Sequence, residues 1–316
     1  MRILVTGGSG FIGSLLCETF SSDFEVTGTY HRHLPGEGAV RWEKADLLDT
    51  ACLERLVDRV TPDVVIHCAG MKKGALLGGG GDLCTRVNGT ATESLGAFAG
   101  RANPGVFFIY LSSVSVYGAG KRSEPPGEDA PCQPCGVNGI SKLHGEEKLR
   151  SLVEGGHLRH VMILRLAPCY DRQWTRNLER RAMMPGGLSY VRWGSGNQRM
   201  SALARGNVAD WVGFVLSNRE RFGGFGVYNL CDERPYSFNE IIGAFKASGR
   251  RPPFPDLRVP RKWLSRFRTM LDGPTAGKGE LLRSHAGKIC DDRIYDNGRM
   301  LATGFRPRHD LESVLL

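Results

Sequence analysis

The sequence lacks any long hydrophobic run. No stretch approaches the roughly 18 consecutive apolar residues that a membrane-spanning helix needs, and the run Ile3 to Val5 is too short for the core of a signal peptide. The sequence also lacks the cysteine spacing of a disulfide framework, because its cysteines are odd in number, nine, and irregularly spaced. These absences predict a cytoplasmic protein in a reducing compartment, with no membrane partner and no disulfides.

Two further absences exclude kinds of site. Cys132 and Cys135 form a lone Cys-x-x-Cys pair with no second pair at a useful spacing, so no structural metal site is expected. The formal net charge is +9, yet there is neither a basic stripe interleaved with aromatic residues nor a nucleic-acid recognition motif. The sequence therefore predicts no metal and no nucleic-acid partner.

Apolar strand-like runs alternate with helical periodicity through the first 170 residues. Strands are predicted at Arg2–Thr6, Glu25–Tyr30, Asp63–Cys68, Val106–Leu111 and His160–Leu166, and helices at Phe11–Phe20, Ala51–Val60, Val87–Ala99 and Ile140–Val153. This order is typical of an α/β fold with a parallel sheet covered by helices. Fully apolar runs such as Val64 to Ile66 fit strands that are buried on both faces.

A glycine-rich turn joins the first strand to the first helix. Gly7, Gly10 and Gly13 permit the tight turn, allow the backbone to approach a pyrophosphate and let the helix pack closely on the strand. Phe11 and Ile12 open the helix, whose N-terminus offers N–H donors and the positive end of its dipole. The turn predicts a Rossmann-type doubly wound parallel sheet that binds a dinucleotide.

The residues at the end of the second strand indicate which dinucleotide is bound. An acidic residue about 20 positions after the turn usually binds the ribose 2′-hydroxyl, but this chain has His31 and Arg32 there. A guanidinium forms bidentate bonds with phosphate. The sequence therefore favours NADP, whose ribose carries a 2′-phosphate, and leaves NAD possible.

The domain boundaries follow from where the alternation loosens. Residues 1–170 form the predicted dinucleotide-binding domain, completed by about 208–230 through a helix and a strand. Residues 171–207 and 231–316 form a smaller C-terminal substrate lobe. The run Gly78 to Gly81 is interpreted as a mobile loop.

These motifs together resemble the extended short-chain dehydrogenases/reductases of the NAD-dependent epimerase/dehydratase family, which act on nucleotide sugars. The resemblance covers nearly the whole chain and includes Asn88, Leu111–Gly118 and Leu164–Pro168. It implies that some further residues contact the cofactor: Asp46 and Leu47 at the adenine, the turn residues Cys68, Ala69 and Gly70, and Pro168.

The resemblance also implies a catalytic unit of Ser or Thr with Tyr-x-x-x-Lys. Ser113 matches the hydroxyl residue that binds the reacting oxygen, and Lys142 matches the lysine that holds the nicotinamide ribose. The tyrosine position, four residues before Lys142, is occupied by Asn138. A carboxamide has no proton to exchange near pH 7, so Asn138 can hydrogen-bond a substrate but cannot act as a general acid or base.

Three explanations of Asn138 stay open on the sequence. A substitute acid could be Tyr117, Cys135 or a water held by Ser113; the protein could bind its cofactor with little chemistry; or tyrosine could have been replaced deliberately. Family dehydratases carry an Asp-Glu pair immediately after the hydroxyl residue, where this chain has Val114 and Ser115. Dehydration is therefore not expected. The expected reaction is epimerisation or oxidoreduction at a sugar ring carbon.

An arginine-only excess marks the start of the substrate lobe. Residues 171–207 contain seven arginines and no lysine, which suits bidentate recognition of a diphosphate. By resemblance, Asn177 and Arg199 would meet the diphosphate of a nucleotide-diphosphate sugar or a similar small anion, and the protein would be a homodimer. The alternative prediction is an NADP-binding relative with lost or greatly reduced catalysis that acts as a binding or regulatory protein.

Overall fold

The computed structural model describes residues 1–36, 38–71, 80–118, 122–184, 189–249, 255–260, 263 and 291–316 of the chain. Its centre is a seven-stranded sheet with the order β3-β2-β1-β4-β5-β6-β11. The strands are β1 (Arg2–Thr6), β2 (Glu25–Tyr30), β3 (Arg41–Lys44), β4 (Val64–His67), β5 (Phe107–Ser113), β6 (His160–Leu166) and β11 (Phe225–Leu230). The pairs from β3 through β6 are parallel. The strand order reverses between β1 and β4, where doubly wound sheets bind ligands outside the carboxyl ends of their strands.

Helices connect the strands and cover the sheet. They are α1 (Phe11–Phe20), α2 (Thr50–Val60), α3 (Gly80–Thr85), α4 (Ala91–Ala102), α5 (Val137–Glu154), α6 (Arg176–Ala182), α7 (Arg205–Ser217), α8 (Phe238–Ala247), α9 (Gly298–Ala302) and α10 (Leu311–Leu315). A π-helical turn, Arg86–Thr90, joins α3 to α4, and a 3₁₀ turn, Val114–Tyr117, extends β5. None of the described helices is long and apolar enough to cross a membrane.

One face of the sheet carries an apolar core. Leu4, Val65 and Phe108 from successive strands pack with Leu95 of α4 and Leu149 of α5, all fully buried. Each fully buried leucine or phenylalanine stabilises the fold by roughly 1.5–3 kcal/mol relative to an exposed one. This core fixes α4 and α5 against β5 and thereby positions the residues that α5 carries.

The predicted α/β class and doubly wound sheet are confirmed, and β1, β2, β6 and α1 have the predicted bounds. Strand β3 was not predicted, because its sequence Arg-Trp-Glu-Lys has no apolar alternation and it lies at the edge of the sheet. The helix predicted at Val87–Ala99 is wrong in its first turn, which is π-helical.

The described residues form two compact units. The first comprises residues 1–118, 130–166 and 208–229, and the second 119–129, 167–207 and 230–316. Segment 119–129 was predicted in the dinucleotide-binding domain, but it groups with the second unit. Contacts within that unit explain this: the amide of Asp296 donates to the carbonyl of Pro126 (3.2 Å), and Arg299 pairs with Asp129.

The second unit has its own short strands and core. The strands are β7 (Cys169–Tyr170), β8 (Tyr190–Trp193), β9 (Arg199–Met200), β10 (Leu203–Ala204), β12 (Tyr236–Ser237) and β13 (Asp256–Val259). Its buried core includes Tyr170, Leu178, Tyr190 and Phe238. Of the glycine run interpreted as a mobile loop, Gly80 and Gly81 begin helix α3, which corrects that interpretation for them. Gly78 and Gly79 lie outside the described residues.

Candidate functional site

The glycine turn has the geometry that a dinucleotide requires. Gly7 has a φ of 66°, and a Cβ on it would lie 2.7 Å from the backbone of Ala69. A Cβ on Gly13 would collide with the carbonyl oxygen of Gly7. Helix α1 begins after Gly10, so no side chain caps its N-terminus. This close-packed glycine backbone, leading into a helix N-terminus, fits a pyrophosphate.

The residues predicted to discriminate the cofactor lie on the surface after β2. His31 and Arg32 are both exposed. His31 Nε2 lies 3.7 Å from Asp46 Oδ2, and the other carboxylate oxygen of Asp46, Oδ1, accepts a hydrogen bond from the amide of Leu48 (3.0 Å). The structure thus places His31 and Asp46, predicted from different motifs, next to each other, with the partly buried Leu47 beside them.

His67 ends β4 and is fully buried within the sheet. Its Nδ1 and Nε2 share hydrogen bonds with the hydroxyls of Thr6 (2.5 Å) and Thr92 (2.9 Å), and its ring stacks on Tyr110. Burial, with the nearby charge of Lys142, lowers the pKa of His67 to about 3. His67 is therefore a neutral packing residue beneath the site and not a candidate acid.

This depressed pKa makes stability depend on pH. Because the unfolded chain takes up a proton on His67 near pH 6.5 and the folded chain does not until about pH 3, the contribution of His67 to stability is greatest above pH 6.5 and falls as pH falls. We expect His67 to cost about 1.4 kcal/mol of unfolding free energy per pH unit below 6.5. Urea unfolding at pH 7 and pH 5 measures this, and His67→Gln should reduce the difference by about 2 kcal/mol. The exposed His33→Gln is the control, and an equal slope in both variants would contradict the assignment.

The turn after β4 meets the lysine of α5. A Cβ on Gly70 would lie 3.2 Å from Lys142 Nζ and 2.9 Å from Asn88 Oδ1, so this position requires the smallest residue. The thiol of Cys68 is held protonated, because burial raises its pKa. Asn88 accepts from the amide of Met71 (2.8 Å) and donates to its carbonyl (2.9 Å), which fixes the turn. Asn88 belongs to the π-helical turn, a feature that is frequent at functional sites.

Lys142 is positioned by contacts with two residues of β5. Its ammonium donates to the carbonyl of Leu111 (2.7 Å) and lies 4.5 Å from the centre of the Tyr110 ring. Both contacts favour a charged amine at a fixed position. Lys142 is thereby placed beside Gly70, at the carboxyl edge of the sheet.

Ser113 and Asn138 are joined through Ser115. Asn138 Nδ2 donates to Ser115 Oγ (2.9 Å), and Ser115 Oγ donates to Ser113 Oγ (3.0 Å). Ser113 Oγ also accepts from the amide of Ser115 (3.2 Å). Asn138 Oδ1 is buried and has no hydrogen-bond partner among the described residues. The structure therefore brings the predicted Ser113, Asn138 and Lys142 together around one helix and one strand end.

One of the three substitute acids, Tyr117, is disfavoured by its position. The hydroxyl of Tyr117 is buried, donates to Asn229 (2.7 Å) and accepts from Arg165 (2.9 Å). These bonds leave it engaged inside the fold. Cys135 is exposed in the segment that precedes α5.

A charged network beneath the site was missed on the sequence. Glu146 of α5 and Arg165 of β6 form an ion pair at 2.7 Å, and the side chain of each is only 6% exposed. Ser112 donates to the same carboxylate. An arginine within an otherwise apolar strand was the available signal, because a buried charge requires a partner.

One face of α5 therefore carries three polar anchors at intervals of four residues. Asn138 bonds Ser115, Lys142 bonds the carbonyl of Leu111, and Glu146 bonds Ser112. All three partners lie on β5 or in the turn that follows it. We call these residues, Asn138, Lys142 and Glu146, the α5 ladder.

The residues predicted to bind substrate lie in the second unit. Asn177 Nδ2 donates to the carbonyl of Cys169 (2.7 Å). Arg199 is exposed and pairs with Asp292 at 3.4 Å. Pro168, which was predicted to contact the cofactor, also lies in this unit; it is partly buried, and its carbonyl accepts from the amide of Leu203 (3.2 Å). Two other arginines of the predicted excess also form ion pairs: Arg192 with Asp256 and Arg205 with Asp171.

Arg181 differs from these paired arginines. Its Nε is buried without a hydrogen-bond partner in the described part of the chain, and burial, reinforced by the charge of Arg293, lowers its pKa to about 10. A partly buried guanidinium whose Nε lacks a partner favours an anion. Among the described residues, no group of three or more His, Cys, Asp or Glu could hold a metal ion.

The sheet order, the glycine turn and the lysine on α5 define the class: a Rossmann-type short-chain dehydrogenase/reductase. The sequence profile of the NAD dependent epimerase/dehydratase family matches residues 3–231, and the chain belongs to that family. The resemblance identified from the motifs is thus confirmed.

The chain is similar to several characterised proteins. It is 32% identical over 165 residues to methionine adenosyltransferase 2 subunit beta of Xenopus laevis, a match that covers 52% of this chain and 47% of that protein. The chain thus spans about half the length of such relatives. It is 25% identical over 313 residues to N-acetyl-alpha-D-glucosaminyl-diphospho-ditrans,octacis-undecaprenol 4-epimerase of Escherichia coli O157:H7, covering 96% of this chain and 90% of the epimerase.

Solved structures share the fold. UDP-glucose 4-epimerase of Thermotoga maritima, solved with UDP-glucose, superposes with a TM-score of 0.74 at 20% identity, covering 100% of this chain and 96% of that one. UDP-glucuronic acid 4-epimerase of Bacillus cereus, solved with NAD, superposes with a TM-score of 0.72 at 21% identity, covering 100% of this chain and 94% of that one.

Proposed function

We propose that the protein transfers hydride between a nicotinamide dinucleotide and a ring carbon of a nucleotide-diphosphate sugar, as an epimerase or reductase. The observation that carries this proposal is the placement of Lys142 beside Gly70, with Ser113 at the end of the strand that anchors it. Lys142 would hold the ribose hydroxyls, and Ser113 would bind the oxygen on the reacting carbon. A bound nicotinamide would supply the hydride acceptor and donor. Asn138 would contribute hydrogen bonding without exchanging a proton.

The substrate class is supported by the second unit and by the relatives. Arg181, whose Nε is buried without a partner in the described part of the chain, suits a diphosphate or another anion. Solved proteins of the same fold contain UDP-glucose or UDP-glucuronic acid. Asn177 and Arg199 are proposed as further substrate contacts. A homodimer built through α4 and α5 is also part of the proposal, and the exposed Ile140 on α5 suits such an interface.

Turnover tests the proposal directly. The protein would be incubated with NAD or NADP and a panel of UDP- and dTDP-linked sugars, following cofactor absorbance for reduction and the anomeric NMR signals for epimerisation. Lys142→Met should weaken cofactor binding and turnover, whereas Lys148→Met on the outer part of the same helix should change neither. Absence of turnover with every sugar, in protein that binds the cofactor tightly, would contradict the enzymatic proposal.

The preference for NADP is a finer part of the proposal and depends on Arg32. Because a charge-assisted hydrogen bond contributes about 1.5–3 kcal/mol, we expect Arg32→Ala to weaken NADP binding by roughly 10- to 100-fold. The affinity for NAD should change little, since NAD has no 2′-phosphate. Calorimetric titration of both cofactors measures the two affinities, and Arg41→Ala on the exposed start of β3 is the matched control. An equal loss for both cofactors would contradict the role of Arg32, as would equal wild-type affinities.

The second candidate function is a binding or regulatory protein that keeps the dinucleotide site with little turnover. Asn138 favours it, because the position that exchanges the proton in the family holds a carboxamide here. One relative is named as a subunit of an adenosyltransferase, which is a different enzyme class. Tight binding of NADPH without consumption, in the presence of the same sugar panel, would favour this candidate.

A further inference from the structure

The carboxamide of Asn88 is held in one orientation by backbone groups. Its Oδ1 accepts from the amide of Met71 at 2.8 Å, and its Nδ2 donates to the carbonyl of the same residue at 2.9 Å. A backbone amide can only donate and a backbone carbonyl can only accept, so the two ends of the carboxamide cannot be exchanged. The second proton of Nδ2 is therefore donated to Ser141 Oγ, which lies 2.9 Å away.

Ser141 of α5 is fully buried, and the direction of its hydrogen bonds follows from that of Asn88. Because Asn88 Nδ2 is a donor, Ser141 Oγ accepts from it. The proton of the Ser141 hydroxyl is donated to the carbonyl of Asn138, which lies one turn earlier at 3.3 Å. Removing this hydroxyl would leave a buried amide proton of Asn88 without its acceptor, which is costly.

Helix α5 also contacts the backbone on both sides of Asn88. A Cβ on Gly89 would collide with the imidazole of His144, and a Cβ on Gly145 would collide with the carbonyl oxygen of Asn88. The helix and the π-helical turn thus approach each other closely, with a glycine at each point of contact. Helix α5 therefore contacts this turn through its backbone and, by way of Ser141, through the side chain of Asn88.

The chain segment that Asn88 holds lies beside Lys142. Met71 follows Gly70, and a Cβ on Gly70 would lie 2.9 Å from Asn88 Oδ1 and 3.2 Å from Lys142 Nζ. In the proposed function, Lys142 holds the ribose next to the nicotinamide. The orientation of Asn88 thus sets how the Gly70 backbone meets that half of the dinucleotide, whereas the adenosine and the pyrophosphate are assigned to the end of β2 and to the glycine turn.

We infer that Ser141 is a positioning residue for the nicotinamide half of the cofactor. It orients Asn88, and Asn88 sets the segment of Gly70 and Met71 against Lys142. This inference rests on the proposed function, because it requires a bound nicotinamide dinucleotide. It predicts that removing the Ser141 hydroxyl lowers affinity for the nicotinamide half alone.

Binding of the whole dinucleotide and of its adenine fragment tests the inference. Wild type and variants would be titrated calorimetrically with NAD and ADP, and with NADP and adenosine 2′,5′-bisphosphate as a second set. Both fragments lack the nicotinamide and its ribose. The ratio of dinucleotide affinity to fragment affinity therefore reports contacts with the nicotinamide half, whereas a general loss of folded protein would lower both affinities alike.

Ser141→Ala should weaken dinucleotide binding by roughly three- to tenfold, the effect of about one hydrogen bond, and leave fragment binding unchanged. Ser141→Cys, which keeps a weak acceptor, should fall between wild type and Ser141→Ala. Ser151→Ala, at an exposed position on the same helix, is the control and should change neither affinity. In Asn88→Ala, which already lacks the carboxamide, adding Ser141→Ala should cause no further loss.

Three results would overturn the inference while leaving the cofactor in place: an equal loss for dinucleotide and fragment in Ser141→Ala, no loss for either, or a further loss when Ser141→Ala is added to Asn88→Ala. If Ser141→Ala does not fold, Ser141→Cys serves for the same comparison. Wild type that binds neither dinucleotide would overturn the proposed function, and this inference with it.

Discussion

Asn138→Tyr is expected to raise the rate of hydride transfer by on the order of 10²- to 10⁴-fold, which is the usual contribution of a positioned general acid or base. The new phenol would stand four residues before Lys142 on the same helical face, where the ammonium would lower its pKa towards neutrality. Tyr117, one neighbour that could have replaced it, is engaged with Arg165 and Asn229. The measurement is the single-turnover rate with the sugar that gives the highest wild-type signal.

Asn138→Phe is the matched control for this gain. It adds the same ring without the hydroxyl, so a gain due to proton exchange should be absent from it. A similar rise in both variants would indicate that the ring improves packing or binding instead. Hydride transfer found only in the Tyr variant would favour the binding or regulatory function for the natural chain, and equal rates in wild type and Asn138→Tyr would show that another group already supplies the proton.

Glu146→Ala is expected to destabilise the protein by about 3–5 kcal/mol, because it leaves the guanidinium of Arg165 buried without its partner. The pair lies at 2.7 Å with both side chains only 6% exposed, so solvent cannot replace the lost carboxylate. Urea unfolding, followed by fluorescence and circular dichroism, gives the difference in unfolding free energy.

Two comparisons make the Glu146 result specific. Glu93 pairs with Lys148 at 3.0 Å, and each side chain is about a third exposed, so Glu93→Ala should cost less than about 1 kcal/mol. Replacing both members of the buried pair, Glu146→Met with Arg165→Met, should recover much of the loss, because no charge is then left alone. Equal losses for Glu146→Ala and Glu93→Ala would contradict a desolvated pair.

The fold could be predicted from the sequence because its signals are local. The glycine turn sits between an apolar strand and an amphipathic helix, and these patterns repeat along the first 170 residues. Strand β3 could not be found this way, since an edge strand of Arg, Trp, Glu and Lys has no buried alternation to detect. The grouping of segment 119–129 with the second unit depends on ion pairs with residues about 170 positions away along the chain.

The candidate site was predicted in part. Ser113, Lys142 and Asn138 were identified by spacing, and the structure places them together. The contact of Ser115 with Asn138 could not be anticipated, because it joins side chains that lie 23 residues apart in the chain. The pairing of Glu146 with Arg165 was likewise hidden, since a glutamate on a helix is usually solvated. The partly buried Arg181 lay within the predicted arginine excess, but sequence alone could not separate it from the arginines that pair with acids.

The α5 ladder has a consequence for how this chain can change in length. Its three residues lie on one helix at a spacing close to one turn. Each is hydrogen-bonded to a residue on β5 or in the turn that follows it. Inserting or deleting a single residue inside the helix rotates everything that follows by about 100°, which would turn some anchors away from their partners. Segment length can therefore vary before Asn138 or after Glu146, whereas the stretch between them does not tolerate an insertion.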